Sequence, residues 1–377
     1  MGSNGGSKQA NKAFKHYFDR AAARQLADQI AGVEPTFDCG RFVRTASRGL
    51  SQLEFMGRVK RFSDTLATTL PEDIPRALAI LSASLPEPLA DCEAVMDGWL
   101  QWPVGQFIAD HGLPHFEESM AAMVALTKRF SSEFAVRPFV EQRPDETFDR
   151  LLALTTDPNP HVRRWCSEGI RPRLPWGRKL VALVKNPTPV WPILDALRDD
   201  EERYVQRSVA NNLNDIAKDH PQSVVKKCRS WLRSSTLGRR WIVNHGLRSL
   251  VKTGNPDALA VIGFKAPRNL SARLSVFPKQ IQIGEGVELS LDLHSAASVE
   301  QQLLVDYAIE FIRKNGTISS KVFKWKRISA QPEERLSLKK KHSMRATTVR
   351  ELYPGRHRIE LQINGQRFSE TSFFVRK

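Results

Sequence analysis

Apolar residues recur near a 3.6-residue period from about residue 11 to residue 264, then alternate at a period of two from about residue 280. The first regime predicts helices and the second predicts strands. The run FKHYFDRAAARQLADQIAGV (14–33) places Phe14, Tyr17, Phe18, Ala21, Leu26 and Ile30 on one face, and Pro35 ends it. A second helical pair is predicted over 40–70. LPED (70–73) then starts the next helix, with Pro71 and two acids in its first turn. Further amphipathic helices are predicted over 71–85 and 116–131. The helical signal weakens at WLQWP (99–103), which reads as a loop or short turn.

The most crowded stretch is TTDPNPHVRRWCSEGIRPRLPW (155–176). Asp157, Pro158, Asn159 and Pro160 read as a turn feeding a helix, with Asn159 as N-cap and Pro160 at the first helical position. Gly169 and Pro172 stop that helix, and Arg164 and Glu168 share one of its faces. Pro172 and Pro175 make the segment that follows rigid.

This unit recurs. HVRRWCSEG (161–169) is echoed 43 residues later by YVQRSVANN (204–212), which aligns Arg164 with Arg207 and Glu168 with Asn211. A further 34 residues on, WIVNHGLRSLVK (241–252) lies over RSVANNLNDIAK (207–218). Breaks at DPNP, at the acidic run 199–202 and at Gly238 separate the copies. Two-helix repeats of this period predict an all-α HEAT-like superhelical solenoid over 13–264, with a concave wall made from one helix of each pair.

After Lys265 the chain changes character. Ala266-Pro267-Arg268 reads as a linker, followed by alternating runs at 280–294, 302–312, 321–328, 335–342, 357–363 and 368–375. Asn315-Gly316, Pro354-Gly355 and Asn364-Gly365 punctuate them, and Asn-Gly is a strong hairpin signal. Six or seven short strands predict an all-β immunoglobulin-like sandwich over 265–377 that follows the solenoid.

Composition adds a partner. The chain carries a formal net charge of +16, and residues 265–377 alone hold 21 Lys and Arg against 11 Asp and Glu. Nine basic residues against two glutamates lie within 321–345, Lys324, Lys326, Lys339 and Lys340 among them. Such strands suit phosphate contacts, which add affinity without sequence information. The plainer alternative is an edge strand kept soluble by its lysines. No run reaches the roughly 18 apolar residues of a membrane span. Four cysteines without paired spacing argue against a disulfide framework and a Cys-based metal site. The polar, Gly-rich residues 1–12 read as a disordered tail, with Gly6 where a myristoylation signal requires Ser or Thr.

Phosphate-binding loops, dinucleotide fingerprints, nucleophile elbows and zinc-protease motifs are all missing. What remains is acidic residues on a basic wall. Glu133, Glu168 and Asp215 stand at related places in successive units, each near arginines, and Trp176 offers an aromatic face. Each has an ordinary explanation: an i,i+4 ion pair for Glu168 and Asp215, a helix-dipole contact for Glu133. Together they point to chemistry that develops positive charge beside phosphates. Cleavage of an N-glycosidic bond fits, because a cationic alkylated base departs and leaves an oxocarbenium-like sugar that a carboxylate stabilises.

HVRRWCSEGIRPRLPWG (161–177) resembles the signature of the AlkC branch of the AlkD-like alkylpurine DNA glycosylases. The resemblance covers about 130–264 and extends from Phe14 through LPEDIPRAL (70–78); an immunoglobulin-like domain follows the repeats in some members. It implies removal of bases such as 3-methyladenine and 3-methylcytosine without drawing the base into a deep pocket. The acidic catalytic positions would fall on Glu133, Glu168 and Asp215, with Trp176 against the damaged nucleotide and Arg164, Arg171 and Arg207 on the backbone. The family pattern does not say which carboxylate matters most.

The reading is thus a monofunctional DNA glycosylase that uses no metal and no cofactor. It would work as a monomer on double-stranded DNA containing alkylated bases, away from membranes, in the bacterial cytoplasm at the nucleoid. One rival is a non-catalytic HEAT-repeat DNA-binding or scaffold protein, which would have no use for clustered carboxylates. Another is a protein–protein adaptor whose concave face takes an acidic peptide. Steep salt dependence of nucleic-acid affinity separates the adaptor from the DNA binders.

Overall fold

A computed structural model describes residues 14–346 and 351–376; the polar segment 1–12, read above as a tail, lies outside the described residues. Helices fill the chain from Arg20–Ala31 to Pro256–Val261, and eight strands follow: β1 Leu270–Phe277, β2 Gln280–Gln282, β3 Gly286–Ser295, β4 Gln301–Ile312, β5 Ile318–Ala330, β6 Arg335–Ser343, β7 Gly355–Ile363 and β8 Gln366–Arg376. Packing divides the chain into Met1–Asp219 with Thr236–Ile242, and His220–Ser235 with Val243–Lys377.

Within the first unit, helices stack in pairs. Pro144–Ala153 precedes Pro160–Glu168, and Trp191–Leu197 precedes Arg203–Ile216. The 191–197 helix packs on both members of the earlier pair, and the 203–216 helix packs on the 160–168 helix. The 43-residue echo in the sequence is therefore a structural repeat whose equivalent helices lie side by side. Val162, Trp165 and Cys166 from one helix and Val205, Val209 and Leu213 from the next are buried at 0% exposure.

Four local expectations differ. The stretch 14–33 is not one helix: a 3-10 turn Phe14–Tyr17 precedes Arg20–Ala31, because the Asp19 carboxylate accepts the Ala22 amide at 3.0 Å and starts the helix afresh. LPED lies ahead of its helix; Asp73 is the N-cap of Ile74–Ala83 and Pro75 occupies the first turn. WLQWP is helical, with a 3-10 helix Ala94–Gln101 running into Trp102–His111. Pro103 is a starter there rather than a breaker, and burial of Leu100 and Trp102 fixes the segment on the core. Gly238 lies inside the helix Leu237–Gly246; the break falls just before it.

The sandwich has a three-stranded sheet ordered β1-β3-β6 and a five-stranded sheet ordered β2-β8-β7-β4-β5. The run 280–294 is not one strand. It divides at 283–285 into β2, which pairs parallel with β8, and β3, which pairs with β1 and β6 in the other sheet. Alternating Leu289, Leu291 and Leu293 meet Leu303, Val305, Ile309, Ile359 and Leu361 in the core. The predicted Asn364-Gly365 turn joins β7 to β8, with φ of 48° and 77° as a two-residue hairpin of the primed type requires. Asn364 also donates to the Lys265 and Gln302 carbonyls at 2.7 and 2.9 Å, so the segment between the last helix and β1 is pinned to the five-stranded sheet.

Candidate active site

The helix Pro160–Glu168 begins as its sequence demands. Asp157 accepts the Asn159 amide and Asn159 accepts the His161 amide, both at 2.8 Å, and Pro160 has no amide to leave unpaired. After Gly169 the chain folds back on itself through amide–carbonyl bonds from Arg171 to Glu168, Gly177 to Leu174 and Leu180 to Pro172, each at 3.2 Å. This places Arg164, Glu168, Arg171 and Trp176 along one surface.

The charged residues form a ladder. Arg164 reaches Glu133 at 2.6 Å and Glu168 at 3.5 Å. Arg171 then donates to Glu168 at 2.6 Å through one terminal nitrogen, and to Asp215 at 2.8 Å through Nε and its other terminal nitrogen. Lys218 closes the row on Asp215 at 2.9 Å. Ser208 donates to the remaining Glu168 oxygen at 2.6 Å, and Ser131 donates to Glu133 at 3.0 Å. Three carboxylates thus alternate with three cations.

Glu168 is 5% exposed and Asp215 is 2% exposed. Burial acts to neutralise Glu168, but the Arg164 and Arg171 guanidiniums and the Ser208 hydroxyl outweigh it and hold the carboxyl below its ordinary range. Conversely, burial acts to lower the Arg164 pKa, and Glu133 and Glu168 raise it. The pairing therefore keeps a desolvated carboxylate ionised. Both arginines, which the resemblance puts on the DNA backbone, are engaged with acids here, and the i,i+4 pair of Arg164 with Glu168 is among these contacts. Arg207, by contrast, is exposed.

Glu133, Glu168, Arg164, Arg171 and Arg207 line a cleft of about 850 Å³. Its lining also includes Trp176, Trp102, Phe134 and Tyr204, but not Asp215, which lies behind Arg171. Trp176 is 74% exposed and adopts φ of 64°, unusual for a bulky residue. Its ring stacks on Trp102 at 6.5 Å, and Trp102 stacks on Phe134 at 5.1 Å. Tyr204 lies under the Arg164 guanidinium at 5.3 Å, and burial pushes its hydroxyl up to about 12.

Lys324 and Lys326 are exposed on β5, and Lys339 is exposed on β6 with its ammonium 3.0 Å from Glu288. Lys340 is half-buried on the opposite face of β6. His342 of β6 contacts Phe323 of β5 at 4.6 Å, so the two basic strands share one flank of the sandwich.

Sequence reading missed Ser131, Ser208, Tyr204, Trp102 and Phe134. Ser208 carried a signal, since it follows the recurrent Arg207. Ser131 and Phe134 sit beside Glu133, and Tyr204 shortly precedes Arg207, so proximity to those candidates was their signal; Trp102 reaches the cleft only through packing.

The family described as the C-terminal Ig-like domain of the uncharacterised protein YhaZ matches residues 271–377. The uncharacterised protein YhaZ of Bacillus subtilis (strain 168) is 35% identical over 354 residues, which cover 93% of this chain and 96% of that protein. A solved structure of the Pseudomonas fluorescens alkylpurine DNA glycosylase AlkC, bound to DNA containing an abasic site analog, is 35% identical. It superposes with a TM-score of 0.87 over 97% of this chain and 100% of that one.

Proposed function

The chain belongs to the AlkC branch of the AlkD-like alkylpurine DNA glycosylases with an appended Ig-like domain, and from that membership we propose that it excises cationic alkylated bases from double-stranded DNA. The observation that carries this reading is the ionised, desolvated Glu168 at the cleft, flanked by Glu133. A carboxylate that stays charged away from water is worth most where positive charge develops, because the low local dielectric strengthens the attraction.

Bases alkylated as in 3-methyladenine or 3-methylcytosine already carry a positive charge, and their departure leaves an oxocarbenium-like sugar. Glu168 and Glu133 stabilise that sugar and orient the attacking water. Asp215 acts through Arg171, which it holds against Glu168. Trp176 and its aromatic support supply a face for the damaged nucleotide, and Arg207, with Arg164 and Arg171 once the DNA is seated, supplies cations for the backbone. The open, partly aromatic cleft suits a leaving group whose charge gives the selectivity, without a deep base slot. Lys324, Lys326, Lys339 and Lys340 add phosphate contacts from the sandwich.

Water is the nucleophile, so the product is an abasic site. Lys218 is held on Asp215 at 2.9 Å and does not line the cleft, whose lining among the described residues contains no lysine that could form a Schiff base.

Release of methylated bases from alkylated DNA, followed by chromatography, tests this directly. Glu168→Gln or Asp215→Asn is expected to slow excision of 3-methyladenine about tenfold or more while DNA binding persists. Unchanged excision in both, and in Glu133→Gln, defeats the catalytic assignment. No released base from any methylated substrate favours the non-catalytic DNA-binding alternative.

A further inference from the structure

The cleft has two walls. The turn before the helix Arg137–Gln142 carries Glu133 and Phe134, and the segment after Gly169 carries Arg171 and Trp176. One side chain ties them together. Arg137 is 1% exposed and donates to the Gly169 carbonyl at 2.9 Å and the Arg171 carbonyl at 3.0 Å through one terminal nitrogen. It also donates to the Arg178 carbonyl at 2.9 Å through Nε, and again through its other terminal nitrogen. These bonds all go to backbone carbonyls, none to a carboxylate. They grip both ends of the segment that bears Arg171 and Trp176.

That segment needs a grip. It has no helix or strand of its own, and it holds Trp176 in a left-handed conformation that only Gly adopts without cost. Gly177 lies directly over the clamp, where an added Cβ would sit 3.4 Å from the Arg137 Nε. The guanidinium suits the task because its planar fork spreads donors over separate acceptors, whereas an ammonium gathers three donors at one point. Burial lowers the Arg137 pKa to about 10, so the fork remains charged at neutral pH.

We propose that Arg137 is a positioning residue for base excision: it touches no reacting atom but staples the segment 169–178 to the turn bearing Glu133, and so fixes Trp176 against the cleft. This rests on the glycosylase reading. Misplacement of a contact by about 1 Å can cost roughly a hundredfold in rate, so the clamp is felt in the chemical step rather than in affinity for DNA.

Arg137→Lys keeps the charge and loses the fork. Its single-turnover excision rate at saturating enzyme is expected to fall about tenfold or more, while affinity for DNA with an abasic-site analogue changes less than about threefold. In a Trp176→Ala background the same substitution should change the rate less than about twofold, because its route of action is gone. A wild-type rate in Arg137→Lys, or full additivity with Trp176→Ala, overturns the proposal. Should wild-type protein release no base, the glycosylase reading fails by itself. The clamp is then judged by hydrogen exchange, where Arg137→Lys should deprotect 169–178 while the 203–216 helix keeps its protection; unchanged exchange there overturns it. If neither Arg137→Lys nor Arg137→Gln folds, exchange in the wild type decides. Amides of 174–178 opening together with the 137–142 helix support the clamp, and independent faster opening of that segment overturns it.

Discussion

Two buried acids illustrate how the balance of partners against burial decides charge. Glu168 and Asp306 are 5% and 7% exposed, yet they shift in opposite directions. Burial favours the neutral form of both. Arg164 and Arg171 outweigh it at Glu168, whereas at Asp306 burial wins over the attraction of Lys324, the Trp325 amide and Arg327, and pushes the pKa up to about 6. The consequences for stability have opposite sign. Glu168, with its pKa depressed, contributes stability that is present above its unfolded value and is lost as pH falls through the folded one. Asp306, with its pKa raised from 3.8, contributes stability that is fully present below 3.8 and is lost as pH rises through about 6. Urea unfolding followed against pH checks both. Glu168→Gln should cost about 3 kcal/mol or more near neutrality, because it leaves the buried Arg171 and the half-buried Arg164 guanidiniums short of charge, and it should flatten the acid limb. Asp306→Asn should raise stability above pH 6 by up to about 3 kcal/mol and remove the decline between 3.8 and 6. A destabilised Asn variant there would contradict the assignment.

The elements that form the cleft differ in how clearly their local signals spoke. Pro160 and Asn159 wrote the 160–168 helix into the sequence, and the repeat gave its neighbour. WLQWP carried a breaker-like proline and bulky aromatics, and it became helix because its close fit to another segment left no alternative. A Cβ added to Gly98 would meet the Arg129 carbonyl oxygen at 1.9 Å and the Phe130 Cβ at 2.9 Å. These are backbone or near-backbone atoms that cannot swing aside. Gly98→Ala should therefore destabilise the protein by about 3 kcal/mol and disturb Phe130, which lines the cleft. Calorimetry reads the stability, and excision at saturation reads the cleft. A variant with wild-type stability would show that the contact yields more easily than its geometry implies.

At the scale of the molecule, charge would organise the proposed encounter with DNA. A net charge of +16, ten of it within 265–377, predicts affinity that falls steeply with salt. Replacing Lys324, Lys326, Lys339 and Lys340 by Gln should lower the slope of log affinity against log salt by up to about 3 to 4, and it should leave excision by saturating enzyme near wild type. Lys339 already has Glu288 as a partner, and Lys340 faces the inner side of its strand, so the two β5 lysines should dominate. Anisotropy titrations of single replacements across a salt series check that ranking. Equal slopes for wild type and the fourfold variant would remove the sandwich from the phosphate contacts.

The sequence by itself determined the two regimes of structure, the repeat and the candidate acids, because periodicity, caps, hairpin turns and repetition are local and survive without tertiary context. It also named Arg164 and Arg171, but it could not say what they bind. Spacing along a helix shows which residues share a face, not which residues of the next repeat lie opposite. Only the packing of the 160–168 helix against the 203–216 helix brought Asp215 and Ser208 to Arg171 and Glu168, across more than 40 residues of chain. The aromatic support of Trp176 and the Arg137 clamp were decided in the same way, by contacts between segments distant in the chain, where a single sequence carries no pairing signal.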